Sequence, residues 1–152
     1  MYHRGTLAAY RFRHTRDDDL NFPDVQFPHG WVPGIVKLHI HWGPGANGAA
    51  LIGKAVRWVA VYDFASINGV FGGESTHPFE DTIVGQNYKH QMTAEFDIDL
   101  SGYLPSALGM LRVYRDNAVA NNVGAGMFLF SVDFHIQMQG LGTVNSNGSG
   151  GR

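Results

Sequence analysis

The residues best equipped for chemistry in this chain are three histidines and their acidic neighbours. His39 and His41 alternate with apolar residues in the string KLHIHWG, so on a strand both imidazoles project from one face, about 7 Å apart by strand rise. That spacing can chelate zinc. A third donor, His135, lies on the same side of a strand as Asp133, and it completes a ligand set if residues 127–138 pair beside residues 35–42. The other reading is an outward polar ladder of imidazoles, hydrogen-bonded to neighbours or covered by a loop or a second subunit. The sequence favours the ladder, because half-exposed strand histidines are common and no complete ligand set with a known spacing is present. No metal or cofactor is therefore expected.

The remaining acids and aromatics are weaker candidates. Asp17, Asp18 and Asp19 are consecutive, so they cannot all face one ion, and they read as a solvated loop. Glu95, Asp97 and Asp99 share one strand face, whereas the carboxylates of a glycoside hydrolase oppose each other across a cleft. Neither a Gly-x-Ser-x-Gly elbow nor a phosphate-cradling loop is found, so no catalytic residue is assigned and no enzyme is expected. Trp42 and Trp58 fall on apolar strand faces and belong in a core. Trp31, in the loop string FPHGWVPG, is the aromatic expected to make surface contacts, as in a carbohydrate-binding module.

The elements that must position these residues are strands. Residues 35–42 place Val36, Leu38, Ile40 and Trp42 on one side. Residues 92–100 place Met92, Ala94, Phe96, Ile98 and Leu100 inward, and residues 127–138 do the same with Phe128, Phe130, Val132, Phe134, Ile136 and Met138. Residues 55–64 are apolar on both faces, which implies cover on each side, from a neighbour or a partner subunit. Leu7–Phe12 and Gly109–Arg115 are shorter strand candidates, and Ser101–Leu108 is a candidate helical turn. Gly- and Asn-rich stretches separate these runs. Alternation of this kind implies antiparallel sheets, each with one solvated face, stacked to hide their apolar sides. The fold expected is an all-β antiparallel sandwich, jelly-roll-like, with an N-terminal arm at residues 1–19, the sandwich at 20–139 and a flexible tail at 140–152.

Composition narrows the partners. The 152 residues are 44% hydrophobic and 16% charged, which suits one folded domain. Eleven Lys+Arg against thirteen Asp+Glu leave a net charge of −2, with no positive field for nucleic acid. The absence of cysteine removes disulfides and thiolate ligands. Neither a membrane-spanning run nor the apolar region of a signal peptide is expected from the apolar runs, which are only a few residues long.

Two resemblances follow from particular strings. KLHIHWG resembles the zinc-binding strand of α-type carbonic anhydrases, over those residues alone; those enzymes are much longer and need a third histidine from an adjacent strand. Across most of the chain, Asp19–Pro23, the strand end His39–Pro44 and the closing Val132–His135 string resemble small jelly-roll virion proteins of tailed bacteriophages. The resemblance implies a capsid cement or decoration protein that binds the major capsid protein. It implies location on the capsid surface after assembly in the host cytoplasm, and self-association as a dimer or trimer. No nucleic-acid or membrane partner is expected. On this reading the contact residues toward the capsid or a second subunit are Arg4, Arg11, Arg13, Arg16, Trp31, His39, His41, Asp133 and His135. A carbohydrate-binding tail or fibre module is the alternative, and a zinc enzyme a more distant one.

Overall fold

The computed structural model describes residues 2–4, 7–16, 18–45, 48–118 and 123–139, of which 2–4, 7, 8, 23 and 24 are described through their backbone alone. The tail at 140–152 and Asp17 lie outside the described residues. The strands are β1 (Tyr2–Arg4), β2 (Leu7–Phe12), β3 (Asp19–Gln26), β4 (Ile35–Pro44), β5 (Ala55–Ala65), β6 (Ser75–Thr82), β7 (Gln91–Met92), β8 (Phe96–Asp99), β9 (Leu108–Asp116) and β10 (Met127–His135). A 3₁₀ turn at Gly48–Leu51 is the helical element among the described residues, while of Ser101–Leu108, a candidate helical turn, residues 101–107 form non-helical turns and Leu108 opens β9. No helix of the described residues is long and apolar enough to cross a membrane.

One sheet runs β1-β2-β10-β4, with β7 and β8 both paired to the far side of β4; the other runs β3-β9-β5-β6. The pairings are nested. The β5–β6 hairpin is innermost, and β4 with β8, β3 with β9, and β2 with β10 follow outward, all antiparallel. A long hairpin rolled up in this way is a jelly roll, so the β-sandwich expected from alternation is the fold observed.

The core forms where the two inner faces meet. Val36, Leu38, Ile40 and Trp42 of β4 pack with Val56, Trp58, Ala60 and Phe64 of β5, all buried. Phe12 meets Trp58 edge-on at 5.1 Å, and the Trp42 indole N–H donates to Asp81 Oδ2 at 2.9 Å, tying the first sheet to β6 of the second. Among the described residues, a charge also lies inside. Arg115 points inward from β9, donates to the carbonyls of Val123 and Ala125, and so fastens the connection that leads into β10. Burial lowers its pKa to about 10, which leaves it charged at neutral pH.

Four expectations need correction, each for a physical reason. The strand expected over 127–138 ends at His135 and carries a bulge between Leu129 and Ser131. The extra residue reverses the alternation, so Met127 and Leu129 face the core while Phe128 and Phe130 are on the opposite face, Phe128 buried there beside Tyr88 and Phe130 against Gly43, where a Cβ would stand 2.9 Å from its ring. The strand expected over 92–100 is broken in two, because the register against β4 slips by one residue between β7 and β8. Met92 and Ala94 consequently face solvent, and Thr93 is buried, exchanging hydrogen bonds with the backbone of Ile40.

The arm is largely sheet. Residues 2–4 and 7–12 pair as β1 and β2, with β2 running along β10. Arg13 and Arg16 close a turn onto Asp18, with Arg13 Nε and Nη2 at 2.9 and 2.7 Å and Arg16 Nε at 2.8 Å from the carboxylate. The Arg13 hydrogen bonds hold the Asp18 carboxyl well below its ordinary pKa. Finally, β5 is covered on its outer side within its own sheet. Val59 is 4% exposed, opposite Pro78 and Tyr114, and Val61 is 6% exposed, opposite Thr76 and Arg112.

Candidate functional site

Pairing of β10 beside β4 brings the separated candidates together. The register sets Asp133 opposite His39, Ser131 opposite His41 and His135 opposite Lys37, on the side of the sheet away from the core. His39 is nevertheless 2% exposed, because the groups around it close over its ring. The rings of His41 and His135 meet it edge-on, with centroids at 4.7 and 4.6 Å. Against a strand spacing of about 7 Å for alternate residues, the 4.7 Å separation means that the His39 and His41 rings lean toward a common point.

The polar atoms at that point are crowded. His39 Nε2 and His41 Nε2 are 2.9 Å apart, and Asp133 Oδ2 lies 3.0 Å from the His41 atom and 3.7 Å from the His39 atom. His41 Nδ1 is 2.6 Å from His90 Nε2, in the segment before β7. His39 Nδ1 is buried without a hydrogen-bond partner. Burial, then the His41 and His135 rings, hold the His39 imidazole below its ordinary pKa despite Asp133 and Glu95, so it is neutral at pH 7.

The polar atoms of this cluster cannot all be satisfied by its own protons. If His41 Nε2 carries the hydrogen, His39 accepts at Nε2 and its own proton sits on the unpartnered, buried Nδ1. If His39 Nε2 carries it, the His41 lone pair faces the Asp133 carboxylate at 3.0 Å. Either arrangement leaves a polar group unsatisfied, at a cost of about 1–3 kcal/mol.

A second set, His39, Glu95 and His135, also has ligand atoms within 4.8 Å of one another. Glu95 is already engaged there. Lys37 Nζ reaches it at 3.0 Å and Asp97 at 3.3 Å, and that hydrogen bond lowers the Glu95 pKa. The partners of Asp133 among the described residues are histidines alone. A concavity of about 260 Å³ on the outside of the second sheet, lined by Asn21, Val61, Asp63, Glu74, Met110 and Arg112 among others, contains no such triad among the described residues.

The expected contact residues are distributed unevenly. His39, His41, Asp133 and His135 converge; Arg11 is exposed on the same sheet, opposite Phe128. Arg13 and Arg16 are committed to Asp18, and Arg4 is described through its backbone alone. Trp31 is 0% exposed and stacks on Phe27 at 4.4 Å, so it is a core residue and offers no surface platform. Its position in a Pro- and Gly-rich loop concealed a bridge to Met138, which draws the loop against the sandwich. Sequence reasoning missed His90, whose only signal was its nearness to a strand start, and the role of Glu95 beside His135.

No protein-family model and no curated protein matches this sequence. Among solved structures, a chain in a structure of infectious bursal disease virus Gx strain is similar at 5% identity, with a TM-score of 0.42 over 82% of this chain and 28% of that one. A chain from the Gt strain gives 8% identity and a TM-score of 0.35 over 84% and 30%. The present chain thus spans less than a third of either. Likenesses this distant carry no functional argument, and jelly rolls host many functions.

Proposed function

We propose that this protein is a structural component of a virus particle, of the capsid cement or decoration type, acting through surface contacts and without turnover. The observation that carries the reading is the adjacency of its motifs. The His39–Pro44 string and the Val132–His135 string, which resemble phage virion proteins separately, are hydrogen-bonded neighbours on β4 and β10 of a jelly roll. A rigid sandwich suits repeated attachment, since many copies of a modest contact together hold a shell firmly.

The outer face of the first sheet is the surface proposed for contact. It presents Arg11, His135, Met92 and Phe130 in exposed positions, a mixture of charge and apolar area typical of interface rims. The buried Trp31 weighs against the carbohydrate-binding alternative. Cosedimentation of purified protein with empty phage heads tests the proposal. Saturable binding, reduced by Arg11→Glu, is the expected result; no binding at excess protein, or equal binding of the variant at every concentration, overturns the reading or its surface respectively.

A further inference from the structure

We propose that His39, His41 and Asp133 form a binding site for a divalent transition-metal ion of the zinc class, a property independent of any role in a virus particle. The three edges of the donor triangle are 2.9, 3.0 and 3.7 Å. A tetrahedral ion with bonds of about 2.0–2.1 Å separates its ligands by roughly 3.3 Å, a value these edges bracket. The three donor atoms therefore surround a point at bonding distance from each, and a cation there removes the need for His41 Nε2 to be donor and acceptor at once, while the His39 proton stays on its buried Nδ1.

The neighbouring groups suit a ligand set. When His41 carries its proton on Nδ1, it donates to His90 Nε2 at 2.6 Å and leaves Nε2 free for the ion. A hydrogen bond at the far ring nitrogen is the usual means of orienting a metal-bound histidine. Asp133 is free of Lys and Arg partners among the described residues, unlike Glu95, which selects this triad over the one containing His135. Two nitrogens and one oxygen favour zinc-class ions over magnesium or calcium, which prefer all-oxygen sites. Asp133 has a side chain 45% exposed, so solvent reaches the triad from its carboxylate side.

The test is zinc titration of the full-length protein, stripped with a chelator, by calorimetry and by metal analysis after gel filtration. One zinc per chain is expected, with magnesium and calcium producing no saturable heat. Asp133→Asn and His41→Ala abolish stoichiometric retention, His90→Ala weakens affinity by about 10–100-fold, and His135→Ala leaves it within about twofold. Circular dichroism melts of each variant separate lost ligation from lost folding. A hydrogen-bonded histidine chain without metal affinity gives no saturable binding, and that result overturns the proposal. So does zinc binding that a folded His41→Ala, Asp133→Asn double variant retains unchanged.

Discussion

The outer faces of the two sheets handle polar groups in opposite ways. On the second sheet, Arg57 of β5 lies in register between Glu80 of β6 and Asp116 of β9 and bonds to both, at 2.9 Å from Glu80 through Nε and 3.1 Å from Asp116. Arg112 sits 5.7 Å from the Tyr114 ring centroid and 4.0 Å from Asp19. Each contact joins unlike partners, the ion pairs across strands as cross-strand pairing favours, and the Arg112–Tyr114 contact along β9. On the first sheet, Lys37 follows the same rule with Glu95 and Asp97, but His39 and His41, neighbours on one strand, turn toward each other. Register accounts for the Arg57 pairs of the second face. It accounts for Asp133 beside the histidines, yet gives no reason for two imidazole nitrogens to meet, and that residue of unexplained geometry is what distinguishes a candidate site from a solvated surface.

The contrast is broken most severely by placing a charge under the second face. Val59 is enclosed by Pro78 and Tyr114, so Val59→Asp buries a carboxylate with no cation in register, and a loss of about 3 kcal/mol is expected. Thermal denaturation should register a fall of roughly 6–12 °C. An unchanged melting temperature would mean that this face is open to water. Arg57→Ala is milder, a smaller loss than Val59→Asp by urea denaturation, because the ion pairs it removes are partly exposed and it leaves Glu80 and Asp116 without their shared partner.

A smaller effect separates the histidines themselves. His77 of β6 stacks on Phe96 at 3.5 Å and meets Phe79 edge-on, and burial there lowers its pKa from 6.5. The unfolded chain therefore binds this proton more tightly than the folded one. The contribution to stability is complete above about pH 6.5 and declines as pH falls below it. His77→Phe keeps a ring against Phe96 without a titrating group, so denaturation midpoints should fall less between about pH 7.5 and 5 in the variant than in the parent. Parallel pH dependences would remove burial as the cause.

How much of this was legible in the sequence depends on how local the signal is. Alternation located β4 and the inward faces of β5 and β8, because side-chain parity is a property of successive residues. It misassigned Phe128 and Phe130, since a single bulged residue inverts every position on one side of it, and Met92 and Ala94 for the matching reason of a register slip. The strand at β6 was missed because its sequence, STHPFEDT, places Pro and acids where β-branched residues are usual; on an edge strand the Pro needs no ladder partner. His39 and His41 were legible as a pair, and Asp133 and His135 as their conditional neighbours. His90 was not, because its position is set by the chain between β6 and β7 and not by any repeat.

The finest distinction between the faces concerns Met92, which lies in register with His41 and is 50% exposed. Exposure, not proximity to the cluster, determines what its substitution costs, so Met92→Thr should change stability by less than about 0.5 kcal/mol, the ordinary range for a surface position. The same substitution type at Val61, where the side chain is 6% exposed, places a hydroxyl in a shielded position and costs more. Urea denaturation of the two variants side by side measures the difference. Equal costs at the two positions would mean that Met92 is covered in solution, as it would be if a second copy of the chain sat on the first face.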